Sequence, residues 1–191
     1  MDDESPTEHF EHAEHAEHVA HMGDRFMTTV SVTIAGLAMI AATVGSLETI
    51  ETAATVNAKS EAVLFQDKAT DGWNFFQAKS VKKNMYDIAA AQGGDHVADF
   101  MAQSKKNESD SEDIMKETKK FESETDDKLK EADQHERRHK VLTIAVTLLH
   151  VSIAIATVSI ITRGARWPWI GSLILGAIGT IGAGAAYLMA G

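Results

Sequence analysis

A chain of 191 residues with a mean hydropathy of −0.15 has the average character of one soluble domain, but the average hides apolar blocks set between strongly polar ones. The net charge of −10 excludes nucleic acid as a partner, because an acidic surface repels phosphate. No cysteine is present, so a thiol nucleophile is excluded and the redox compartment is unmarked.

The first block, 1–25, carries eight acidic side chains against one basic. Ser5, Pro6 and Glu8 have the spacing of a capping box with proline at the first helical position. They predict a helix from Pro6 to Met22, with Gly23 placed to end it. His9, His12, His15, His18 and His21 recur every three residues, which spirals them round such a helix. Glu8, Glu11, Glu14 and Glu17 each stand four residues before a histidine and favour the helix when that histidine is charged. The simpler reading is a solvated helix whose charge changes near neutral pH. The sharper one is a transition-metal site, since imidazoles at i and i+3 share an ion; one helix supplies only two ligands, so other chains would complete it. No other cofactor is expected.

Three apolar segments of 22 residues contain no Asp, Glu, Lys or Arg: 26–47, 141–162 and 169–190. About 20 residues of helix cross the hydrocarbon core, so each predicts a membrane span with lipid as its solvent. The flank of the first is acidic, which suits a retained anchor rather than a cleaved signal. Small or weakly polar residues recur at spacings of three and four in all three. They are Thr28, Ser31, Ala35, Ala38, Ala42 and Gly45 in the first, and Thr143, Thr147, His150, Ala154 and Thr157 in the second. The third has Ser172, Gly176, Gly179, Ala183, Ala186 and Ala190. These stripes predict helix-packing seams, because small residues let helices approach in lipid. His150 is an ionisable group at mid-span and so a candidate proton or ion contact; a neutral, hydrogen-bonded imidazole is the plainer account. In the loop at 163–168 and just beyond, Arg163, Arg166, Trp167 and Trp169 suit the membrane interface.

Between the first two spans lies the polar stretch 48–140. Its first arm places Val63, Leu64, Phe65, Ala69, Trp73, Phe76, Val81, Met85 and Ile88 at helical spacings. Gly93 and Gly94 break it near the middle, and Asp95 is placed to cap the return arm. The return seam reads Phe100, Ser104, Asn107, Ser111, Ile114, Thr118, Phe121 and Thr125. Half of it is Ser, Thr or Asn, too weak for a solitary coiled coil. The expectation is a hairpin that bundles with others, or a return arm frayed around 104–113. The fold class is therefore all-α: three transmembrane helices, with a long extramembrane antiparallel hairpin between the first and second. Short-loop arginines favour a cytoplasmic N-terminus and a periplasmic hairpin, while Arg137, Arg138 and Lys140 argue the other way.

The segments EHAEHAEH, GSLETIET, EAVLFQDKATDGWNFFQAKSVKKNMYDIAA and HERRHKVLTIAVTLLH resemble an uncharacterised family of small bacterial membrane proteins, known as a domain of unknown function. The resemblance implies a multi-pass protein of the bacterial inner membrane with a helical insertion after its first span. It implies no activity and no site residues.

No catalytic constellation is present, so no enzyme is expected. HERRH at 135–139 mimics a zinc-protease motif but lacks a third ligand. The first functional expectation is a structural or interaction protein, as a homo-oligomer or an accessory subunit of a larger membrane complex. The alternatives are an oligomeric channel gated by the hairpin or tail, and a metal- or pH-sensing module.

Overall fold

The computed structural model describes the backbone of residues 6–162 and 165–188, and side chains from Arg25 onward within those ranges. Among the described residues the chain is entirely helical: α1 spans Pro6–Ala91, α2 Val97–Ile161 and α3 Arg166–Leu188. The separate tail helix expected to stop at Gly23 is instead the start of α1, which runs through that glycine without a break. A lone glycine costs a helix only about 1 kcal/mol, and here the helix carries on through it. The third helix begins three residues earlier than expected, at Arg166. Pro168 then lies in the first turn, where its missing N–H is not needed.

Two compact units divide the chain, one holding residues up to Thr52 and from Arg137 onward, the other Ala53–Glu136. The first is a three-helix bundle. Its core is Leu37, Ala41 and Val44 of α1, Leu142, Ala145 and Leu149 of α2, and Ala183 and Ala186 of α3. All three helices are long and apolar enough to cross a membrane, and only 22–28% of each apolar window is buried inside the protein. Most of that apolar surface is thus left uncovered by the described residues.

Large residues on α1 and α2 meet small ones on α3. A Cβ added at Gly176 would come within 2.6 Å of Leu37 Cδ2, and one at Gly179 within 3.1 Å of the Ala145 carbonyl oxygen. Ser172, Gly176, Gly179, Ala183 and Ala186 are buried. Ser152 Oγ donates to the Ser172 carbonyl oxygen at 2.5 Å. In the same first turns of α3, Trp169 packs edge-on against Phe26 and donates to Thr33 Oγ1 at 3.2 Å.

The stripes expected on the first two spans lie elsewhere. Thr28, Ser31, Ala35, Ala38 and Ala42 are exposed, as are Thr143, Thr147, His150, Ala154 and Thr157. Gly45 is half-buried, and among the described residues nothing lies within 4 Å of a Cβ built there. The buried face of α2 runs through Leu142, Ala145, Leu149, Ser152, Ala156 and Ser159. Leucine alternating with small residues seals a three-helix contact better than small residues alone, which explains the choice of face.

In the second unit, α1 and α2 pair antiparallel as a hairpin. Gly93 and Gly94 turn it with φ of 78° and 108°, values that side-chain-bearing residues rarely adopt. α2 starts at Val97, so Asp95 stands one residue ahead of the cap position it was expected to fill. Ala58, Ala62 and Ala69 of α1 are buried, as are Ser104, Asn107, Ser111, Thr118 and Thr125 of α2. The polar seam closes because each of those α2 side chains except Ser104 bonds back to a carbonyl of its own helix. Examples are Thr118 Oγ1 to the Ile114 oxygen at 2.7 Å and Thr125 Oγ1 to the Phe121 oxygen at 2.9 Å. The hydroxyls are thereby satisfied without a cross-helix partner. Helix continues through 104–113, where fraying was the alternative.

Candidate functional site

In the bundle unit, polar side chains from all three helices gather where the apolar segments end. α1 contributes Glu48, Glu51 and Thr52, one turn apart on one face. α2 contributes Arg138, His139 and Thr143, and α3 contributes Tyr187. Thr143 Oγ1 donates to Glu48 Oε1 at 2.6 Å. His139 Nδ1 lies 3.0 Å from Thr52 Oγ1 and 3.8 Å from Glu48 Oε1. The Tyr187 hydroxyl hydrogen-bonds the Glu51 carboxylate, and the Arg138 guanidinium lies 5.6 Å from the centre of the Tyr187 ring.

Glu51 is only 4% exposed. A carboxylate that deep persists only with partners, and these contacts supply them. His139 faces a hydroxyl and a carboxylate through one ring nitrogen. The cluster contains no activated nucleophile. Among the described residues no group of three or more His, Cys, Asp or Glu is placed to hold a metal ion. What the arrangement does chemically is tie three apolar helices together through charge-assisted hydrogen bonds.

The candidates read from sequence are scattered. Gly93 and Gly94 form the hairpin turn, and the Ser172–Ala183 stripe faces the bundle core. His150 is exposed and has no hydrogen-bond partner among the described residues. The side chains of the metal candidates His9, His12, His15, His18 and His21 lie outside what the structure describes, as does Ser5. HERRH divides its work: His139 joins the Glu48 cluster, while Glu136 pairs with Lys59 at 2.7 Å. Sequence reasoning missed the cluster itself. The signal was present in Glu48-x-x-Glu51 after the first apolar segment and in a histidine and arginine just before the second.

The hairpin has its own charged ladder. Lys128 contacts Glu61 at 2.7 Å and Lys79 contacts Asp110 at 2.6 Å, while Trp73 Nε1 donates to Glu122 at 2.8 Å. Near the turn, Ser104 Oγ donates to Asp87 at 2.5 Å, and Lys83 adds a contact at 2.9 Å. These donors, Ser104 first, hold the Asp87 carboxyl below its ordinary value. The Lys79 hydrogen bond does the same for Asp110.

A family model described as a domain of unknown function, DUF4337, matches residues 26–189. No curated protein and no solved structure matches the chain.

Proposed function

We propose that this chain, which belongs to the DUF4337 family, is a multi-pass structural or interaction protein of the bacterial inner membrane. Its work is assembly, as a homo-oligomer or as an accessory subunit of a larger membrane complex. The observation that carries the reading is the amount of contact surface left unused. In the hairpin, Phe75, Val81, Met85 and Ile88 are 57–64% exposed although the surrounding sequence is polar. In the bundle, two stripes of small residues and His150 face outward. An imidazole facing lipid is costly, and small residues facing lipid forgo close packing; both are satisfied against another chain. The Glu48–Glu51–His139 cluster fits the same role as a clasp holding the spans in register.

The short-loop arginines support a cytoplasmic N-terminus with the hairpin in the periplasm. The test is particle mass after extraction in a mild detergent, corrected for bound detergent. A multiple of 20.7 kDa, or a stoichiometric complex with another membrane protein, is expected. A particle holding one chain alone overturns the reading.

A further inference from the structure

We propose that the hairpin binds a second copy of this chain through the outer face of α1, with Phe75 of each copy seated in the groove beside Phe75 of the other. This rests on the assembly reading above and names the surface that performs it.

The groove lies between the arms of the hairpin. It measures about 230 Å³ and is lined by Phe75, Ile114 and Phe121 together with Gly72, Thr118 and the charged Lys68, Asp71 and Glu117. Gly72 lets Thr118 of α2 come into close contact beside it, and the apolar lining of the groove is Phe75, Ile114 and Phe121. Phe75 forms one wall, yet its ring is 63% exposed. Knob and hole are thus neighbours on one patch. A two-fold contact requires that combination, because the same patch must serve both partners.

Beyond Phe75, the residues Ala78, Val81, Met85 and Ile88 follow at spacings of three and four, and all are exposed. They form a stripe distinct from the seam with α2, which uses Gly72, Phe76, Lys79, Lys83 and Tyr86. Two copies inserted the same way in one bilayer bring like residues to equal height. A stripe of this period then meets itself along its length. Met85 adapts to its counterpart, and the buried aromatic at the groove is the residue type on which interfaces most depend.

Charge selects this face over the other. From Ala78 to Ile88 the stripe is flanked by Gln77, Asn84, Ala89 and Ala91 with Lys82 as a cation, and at the groove the acids Asp71 and Glu117 stand with Lys68. Lys79 and Lys83 are already paired with Asp110 and Asp87. Residues 97–136 of α2, by contrast, hold 13 acidic against seven basic side chains. Two such faces repel, whereas two α1 faces do not.

The chain has no cysteine, so one introduced cysteine reports alone. Val81→Cys, Met85→Cys and, on the outer face of α2, Glu112→Cys are each made in the full chain, held in liposomes and oxidised with copper phenanthroline. Disulfide-linked dimers at positions 81 and 85, at least tenfold above position 112, are the expected result. Phe75→Glu, assayed by particle mass, shifts the population toward smaller particles with helix content unchanged; if that variant does not fold, the cysteine series still decides. Equal yields at all three positions, no dimers at 81 and 85, or a link to a different polypeptide overturns the proposal. Multi-chain particles without links at 81 and 85 overturn this surface alone and leave the assembly reading intact. A particle holding one chain overturns both.

Discussion

Gly72 and Thr118 approach so closely that a Cβ on residue 72 would lie 2.1 Å from Thr118 Oγ1 and 3.1 Å from Thr118 Cβ. The hydroxyl is held by its bond to the Ile114 carbonyl oxygen, so relief requires the helices to part. Gly72→Ala therefore sets two effects against each other. Alanine favours the helix by about 1 kcal/mol, and overpacking costs about 1–3 kcal/mol. The net expectation is a lower thermal midpoint, followed by far-ultraviolet circular dichroism. Adding Thr118→Ala removes the clash and leaves the helical gain, so the double variant should melt above Gly72→Ala alone. A double variant no more stable than the single one would show that the approach does not limit packing.

Acid should loosen the turn end of the hairpin. Asp87 and Asp110 have carboxyl groups held below the ordinary value of 3.8 by Ser104 and Lys83 in one case and Lys79 in the other. A group whose folded-state value is lowered contributes stability that is complete above the unfolded value and is lost as pH falls through the folded one. The contribution is thus intact at pH 5 and fades below pH 3.8. Amide exchange near the turn, compared at pH 5 and pH 3, should show lost protection. Asp87→Asn should weaken protection at pH 5 and flatten the pH dependence. An unchanged pH profile in that variant would remove Asp87 from the account.

The division into apolar and polar blocks was legible because composition alone sets it: a span needs an uninterrupted apolar run, and Gly-Gly between long periodic arms marks a turn. The seam from Phe100 to Thr125 was legible as a heptad, but its strength was not. Whether Ser and Thr weaken a seam depends on where their hydroxyls bond, and here they turn back onto their own helix. The face each span buries was misread for a related reason. Small residues line both sides of α1 and α2, and only the third helix decides which side is covered. The apolar residues of the first arm were read as one packing set, yet Phe65, Ala69, Trp73 and Phe76 turn toward α2 while Val63, Leu64, Val81, Met85 and Ile88 do not. The Glu48–His139 contact joins positions 91 residues apart, a separation that no local period reports.

The clasp between Glu51 and Tyr187 is expected to matter to the bundle as a whole. Glu51 is nearly fully buried, so losing a donor leaves part of a charge uncompensated. Tyr187→Phe removes only the hydroxyl and should cost about 1–3 kcal/mol. Thr143→Val should act in the same direction through Glu48, by less, because Glu48 is more exposed. Unfolding in detergent, followed by circular dichroism, measures both. If Tyr187→Phe leaves the midpoint unchanged, the hydroxyl is not what holds Glu51.

The glycines of the turn should behave differently from the glycines inside α1. At Gly93 and Gly94 the backbone has φ of 78° and 108°, where an added Cβ is strained even though nothing lies within 4 Å of it among the described residues. Holding an L-residue in this region costs about 1–2 kcal/mol, and Gly94, farther from the left-handed helical minimum near +57°, should cost more than Gly93. Gly36, inside α1 with open space around its Cβ, should behave in the opposite way and gain about 1 kcal/mol on change to alanine. Thermal midpoints of the three alanine variants should therefore rank Gly36→Ala above the native chain, then Gly93→Ala, then Gly94→Ala. Because the cost is conformational and not steric, Gly94→Asn should recover part of the loss, since asparagine tolerates positive φ better than alanine. If Gly94→Ala matches the native chain instead, the turn takes another backbone path at no cost and the register of the two arms is fixed by their ladder alone.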